Sequence, residues 1–227
     1  MEVLNTALAF MVQGNFETAI PLLRDALKTL NDNAALLEDS PLQAAVHRSR
    51  IFAADIPTFA GTGMLCPSSV AFGVKPSLEP PQAGKGYTTP HETAMEQDIH
   101  RDDTNLLMLV CLYNLGLCYQ VKSTLIPNKS SKYIQKAKSM YKHAIHAWEL
   151  AQGCMDWSTS CISLWVASTS CNLASLYAET WDFSIMQICI DWAERQQVLG
   201  MDEPETAWFW QCSVVCKTWR SLASPAA

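Results

Sequence analysis

Three asparagines, Asn5, Asn114 and Asn172, each stand two residues before a small residue and five before an aromatic one: Ala7 and Phe10, Gly116 and Tyr119, Ala174 and Tyr177. A side-chain amide carries a donor and an acceptor side by side, so it can bond both polar groups of a peptide unit whatever side chain that unit bears. Recognition of backbone is the chemistry such a recurring amide offers. The plainer alternative is that these amides bond neighbouring helices and nothing else.

Other chemistry-bearing residues give weaker signals. His143 and His146 lie one helical turn apart with Glu149 a turn further, a spacing that suits a metal, but no cysteine or second histidine pair accompanies them and the ordinary reading is exposed histidines. Lys129, Lys132, Lys136, Lys138 and Lys142 form a basic strip, read first as a solvated helix face and second as a surface for an acidic or phosphate-bearing partner. No Gly-x-Ser-x-Gly, no glycine-rich phosphate loop and no paired carboxylates on an expected pocket occur. The expectation is a non-catalytic protein with no cofactor and no metal.

Each asparagine block is followed by a helix with two contact positions seven residues apart: Ala19 and Ala26, Ala137 and Ala144, Met186 and Ala193. Seven residues is nearly two turns, so each pair shares a helix face, and small residues there let neighbouring backbones approach while the aromatics fill the space beside them. These blocks, Asn5-Thr6-Ala7 with Phe10 and Ala19-Ile20, Tyr113-Asn114-Leu115-Gly116 with Ala137 and Ala144, and Asn172-Leu173-Ala174 with Tyr177 and Ala193, resemble the tetratricopeptide repeat. The second block carries about nine extra residues between its helices, and Met186 stands where that family prefers alanine. The resemblance covers roughly half the chain. It implies stacked helix pairs whose first helices line a concave groove, with Asn5, Asn114, Asn172 and the adjacent Tyr113 as candidates to hold an extended peptide. It also implies that a carboxylate clamp is lacking, because Met1 and Ser168 occupy the positions where that device needs cations.

Composition narrows the rest. A net charge of −6 argues against general nucleic-acid binding, which needs a basic face. The charge is uneven: residues 105–153 hold six lysines against one glutamate, whereas the flanking segments are acidic. Nine cysteines without a Cys-x-x-Cys pair read as buried free thiols of a reducing compartment, cytoplasmic or nuclear. No basic, apolar, small-residue leader pattern opens the chain. The most apolar stretch, Leu106 to Tyr119, reads as too short for a bilayer, so no membrane partner is expected.

Along the chain, helices are expected at Val3–Val12, from Phe16 to Leu30 with a bend at Pro21, at Leu106–Tyr119 capped by Asp102 or Asp103, over the Tyr133–Trp148 stripe, at Ser158–Glu179 and at Phe183–Leu199. A last helix from Pro204 carries Trp208, Cys212, Val215, Trp219 and Leu222 on one face, leaving Trp210 and Val214 for another chain. Between Asn31 and Thr104, prolines and glycines break the pattern. Arg50–Ile56 and Ser69–Val74 read as short strands, and the stretch from Ala54 to Glu96 as mobile. The fold expected is all-α, a tetratricopeptide-like solenoid of about three helix pairs with a C-terminal cap helix. Its parts are 1–30, the first repeat; 31–104, an irregular insertion; and 105–227, the second and third repeats with the cap. Its expected role is an intracellular protein–protein interaction scaffold. The alternatives are a self-assembling structural protein, joined through the C-terminal aromatic helix, and a regulatory or enzymatic module with its site in the insertion.

Overall fold

The computed structural model describes residues 1–37, 49–56, 70–76, 92–126, 130–151 and 160–195. Among them the chain is mostly helical, in the order α1 (Glu2–Val12), α2 (Phe16–Leu37), β1 (Ser49–Asp55), β2 (Val70–Pro76), α3 (Glu92–Leu125), α4 (Ser130–Ala151), α5 (Ser160–Glu179) and α6 (Phe183–Arg195). Every helix packs on the next one in sequence. The C-terminal helix with Trp208, Trp210 and Val214, the stops at Gly153 and Gly200, Lys129, and the side chain of Ala193 fall outside the described residues.

Two helix pairs turn in the same way. In the first, Gly14 N–H donates to Met11 O (2.9 Å) and Asn15 N–H to Phe10 O (2.8 Å); in the third, Trp181 N–H donates to Ala178 O (3.0 Å) and Asp182 N–H to Tyr177 O (2.9 Å). These crossed bonds satisfy carbonyls that a helix end leaves open, and they need a left-handed residue at the turn. Gly14 supplies it at φ 75°, and Trp181 does so at φ 60°. The following residue then caps the next helix, Asn15 Oδ1 accepting from Thr18 N–H and Asp182 Oδ1 from Ile185 N–H.

The small positions do what their spacing requires. Ala7, Ala19, Gly116, Ala137, Ala144 and Ala174 are buried, as are Tyr119, Tyr177 and Met186, while Phe10 and Ala26 are half-buried against the same core. Gly116 shows how tight the contact is: a Cβ there would lie 2.8 Å from the ring of Tyr141.

The segment between the first two pairs differs from its expected irregularity in three respects. The second helix continues through Asn31, Asp32 and Asn33 to Leu37, because Ala34, Ala35, Leu36 and Leu37 resume helix-favouring sequence. The third starts at Glu92, two residues after Pro90, and not at Asp102. Between them β1 and β2 pair antiparallel, Ile51 opposite Val74 and Ala53 opposite Phe72. Val70, Ala71, Phe72, Gly73 and Val74 are all buried, so this part of the stretch read as mobile belongs to the core.

Among the described residues one helix, Thr104–Leu125, is 22 residues long and holds an 18-residue window of mean hydropathy 1.3, so by length and composition it is long enough to cross a bilayer, longer than the Leu106–Tyr119 stretch read from the sequence. Its apolar surface is used otherwise: 72% of the window is buried inside the fold, against α2, α4 and β2. Asn114, Gln120 and Lys122 also lie on it, with partners in other elements.

Candidate functional site

The site is built where β2 crosses α1 and α3. Backbone polar groups of alternate strand residues point to the same edge. Residues 70, 72 and 74 turn theirs to the helices, which leaves the other edge of β2 for β1. Asn5, half-buried on α1, donates from Nδ2 to Val74 O (2.8 Å) and accepts Val74 N–H on Oδ1 (3.2 Å). Asn114, buried on α3, treats Phe72 identically, donating to its carbonyl (2.6 Å) and accepting its N–H (3.0 Å). Tyr113 completes the row with a bond from its hydroxyl to Val70 O (2.8 Å). Each amide replaces the two ladder bonds a neighbouring strand would have supplied.

Side chains then fix the strand. Phe72 meets the Tyr113 ring edge-on, centroids 5.0 Å apart. On the other face Gly73 lies under the ring of Phe52 from β1 and against Leu8 of α1, whose Cδ2 would stand 2.7 Å from any Cβ at that position. The alternation Val70-Ala71-Phe72-Gly73-Val74 is therefore large towards one face and minimal towards the other.

Asn172, the third residue of the ladder, does not join this row. It is buried on α5, and its Nδ2 lies 3.3 Å from the Tyr113 hydroxyl and 3.2 Å from that of Tyr141. From there a side-chain network runs on: Tyr141 donates to Gln120 Oε1 (2.9 Å), Gln120 donates to Ser175 Oγ (2.8 Å), and Ser175 donates to Asn172 O (2.8 Å). Burial, and the neighbouring Tyr113, push the Tyr141 phenol well above its ordinary pKa, so it stays a neutral donor. The four candidates Asn5, Tyr113, Asn114 and Asn172 thus form one connected assembly, in which two amides and one phenol touch the strand and the third amide supports the phenol.

The basic strip is only partly a solvated face. Tyr119 lies between Arg24 and Lys136, their charged groups 5.7 and 5.2 Å from its ring centre, and Arg24 also donates to its hydroxyl (2.6 Å). Tyr177 is approached by Lys138 at 4.1 Å and Lys142 at 5.5 Å. Arg24 and Lys142 hold the same place in successive pairs, five residues after Ala19 and Ala137, and each reaches the aromatic of the following pair. Lys138 is buried and its ammonium is lowered from the usual value by desolvation, which the carboxylate of Asp182 partly offsets. Arg24, Lys138 and Lys142 join successive helix pairs through aromatic rings, and Lys136 joins the two helices of the second pair. Lys132 is exposed.

His143 Nδ1 lies 2.7 Å from Ser139 O, directed back along its own helix, and His146 stands 4.0 Å from Glu149. Among the described residues no three His, Cys, Asp or Glu side chains are placed to hold a metal ion. No protein-family model, curated protein or solved structure matches this chain.

Sequence reasoning missed that Val70 to Val74 is the strand these side chains hold, and missed the supporting residues Tyr141, Gln120 and Ser175. The large-small alternation of β2 was the available signal for a strand buried on both faces. Nothing in local sequence marks Gln120 or Ser175 as partners of each other.

Proposed function

We propose that this protein is a non-catalytic, intracellular protein–protein interaction scaffold built as a tetratricopeptide-like solenoid, whose concave groove receives an extended segment by its backbone. The reading is supported by one observation above all: Asn5 and Asn114, equivalent in two helix pairs, each bind both polar groups of alternate residues of one strand. Further support comes from the packing of each helix on its successor, from the common turn of the first and third pairs, and from the matched Arg24–Tyr119 and Lys142–Tyr177 contacts.

The occupant is the chain's own β2, and magnitudes decide what that means for a partner. Burying Val70, Phe72 and Val74 contributes roughly 1.5–3 kcal/mol each, and the five hydrogen bonds add about 0.5–1.5 kcal/mol apiece. A strand tethered in cis also acts at an effective concentration in the millimolar range. A free peptide cannot match this by backbone bonds alone. The groove therefore serves a partner once the cis strand is weakened or released, and it favours segments with the same pattern: a large residue beside each amide and a very small one facing Leu8.

A synthetic peptide of residues 68–78 tests the reading against two full-length chains, the native one and one carrying Phe72→Ala with Val74→Ala. The expected result is binding to the weakened chain, little to the native one, and loss of binding when Asn114→Ala is added. Absence of binding to a weakened chain that keeps its helical content contradicts a strand-receiving groove.

A further inference from the structure

Tyr119 and Tyr177 hold the same place in the second and third pairs, and each gathers two cations. The charge is answered within the chain at one and not at the other. At Tyr177 the cations are Lys138 and Lys142, and two carboxylates stand by: Glu179, two residues after the tyrosine, and Asp182, four before the contact position Met186. Both offset the burial that lowers the Lys138 ammonium. At Tyr119 the cations are Arg24 and Lys136, 5.7 and 5.2 Å from the ring centre. The same two places, two after the tyrosine and four before Ala137, now hold Val121 and Tyr133, so neither supplies a carboxylate. Glu17, seven residues before Arg24 on α2, is taken by Lys122 (2.5 Å). Among the described residues no carboxylate stands within ion-pair distance of Arg24 or Lys136.

Hydrogen bonding shows the same deficit. The Tyr119 hydroxyl accepts from Arg24 Nη2 (2.6 Å), and no described group accepts the hydroxyl's own proton. A phenol in a residue only 4% exposed ordinarily finds an acceptor for it. A guanidinium, a hydroxyl proton and an ammonium are thus gathered round one ring without an acceptor for any of them. Arg24 and Lys132 are exposed and Lys136 is half-buried, so the cluster is open to a ligand from solvent.

We infer that Arg24, Tyr119 and Lys136 bind the carboxylates of an acidic protein segment, which supplies from outside what Glu179 and Asp182 supply from inside at the next pair. The use of carboxylates at Tyr177 selects this occupant over a phosphate. Arg24 and the Tyr119 hydroxyl hold one carboxylate by short charge-assisted bonds, and Lys136 pairs with the next. Lys132, one turn before Lys136 on α4, extends the attraction outward. Tyr119 lies five residues after Asn114, about 140° further round α3, so this site is separate from the row that holds β2 and does not depend on it.

The test is binding of fluorescent hexaglutamate to the full chain at low salt, where exposed charges are least screened, against hexaglutamine and a peptide of glutamine with two phosphoserines. Hexaglutamate is expected to bind and hexaglutamine not. Arg24→Gln and Lys136→Gln are each expected to weaken binding about tenfold, as loss of a bond to a charged group should, and Tyr119→Phe by about threefold. Lys142→Gln, an equal change of charge at Tyr177, is expected to alter it less than about twofold, since that cluster has its own carboxylates. Helical content is followed throughout. If Arg24→Gln lowers it, Lys136→Gln decides, because Lys136 makes no hydrogen bond among the described residues. No binding of hexaglutamate overturns the inference, as does equal weakening by Lys142→Gln and Lys136→Gln, which would mean attraction to the basic strip as a whole. Binding of the phosphoserine peptide alone overturns the choice of carboxylates.

Discussion

Asn114 and Asn172 occupy equivalent places in adjacent helix pairs, both are fully buried, and they do different work. Around Asn114 the neighbouring partner is a strand whose N–H and C=O are spaced for one amide. Around Asn172 the nearest partners are the hydroxyls of Tyr113 and Tyr141, so the same side chain becomes a donor within the helical layer. The difference teaches that a repeated residue type fixes a chemical capability, and that the element lying over it fixes how the capability is used. It also divides the site into a part that grips the strand and a part that braces the grip.

The largest effect is expected from Asn114→Ala, which strands the buried N–H and C=O of Phe72. Leaving a buried polar group unmet costs about 1–3 kcal/mol, so chemical denaturation should show a loss of about 3 kcal/mol. A loss under about 1 kcal/mol would put Asn114 on the same footing as a surface residue and erase the contrast.

The brace comes next. Tyr113→Phe removes the bond to Val70 O and one partner of Asn172, and Asn172→Ala removes the support of the same hydroxyl. Each is expected to cost about 2 kcal/mol, and the double variant less than the sum, because residues in one network couple by about 0.5–3 kcal/mol. Strict additivity in the double-mutant cycle would separate Asn172 from the strand altogether.

Asn5→Ala should cost about 1 kcal/mol, less than Asn114→Ala, because Asn5 is half-buried and water can take over part of its work at Val74. Equal losses at Asn5 and Asn114 would show that burial does not set the ranking.

The smallest effect, at pH 9, concerns α3 itself, which carries two buried thiols where α1 has none. Burial pushes the Cys111 thiol from its ordinary 9.0 up to about 12 and raises Cys118 as well. The unfolded chain therefore releases these protons first, the folded chain binds more, and stability falls as pH rises from about 9 towards 12. At pH 9 the loss is about 0.4 kcal/mol per thiol, growing to about 1.4 kcal/mol per further pH unit. A stability that is flat from pH 8 to 10 would place these thiols in water.

Much of this was legible before the structure. The helix pairs followed from Ala19 and Ala26, Ala137 and Ala144, since an i, i+7 relation of small residues constrains packing directly. The strands followed from short β-favouring runs between turn residues. Their destination did not: Val70 to Val74 and Asn5 lie far apart in sequence, and no local periodicity encodes which surface a strand will bury against. The start of α3 was hidden for another reason. Residues 92–103 are too polar to show an apolar stripe, so only Pro90 marks the boundary.

The central claim is that Asn5 and Asn114 hold β2 by its backbone, and amide hydrogen exchange at Phe72 and Val74 tests it most directly. The account predicts both N–H groups protected in the native chain as strongly as those of α1, with Phe72 losing protection in Asn114→Ala while the helices keep theirs. Exchange at Phe72 and Val74 as fast as in a free peptide, with the helices of the native chain protected, would contradict it.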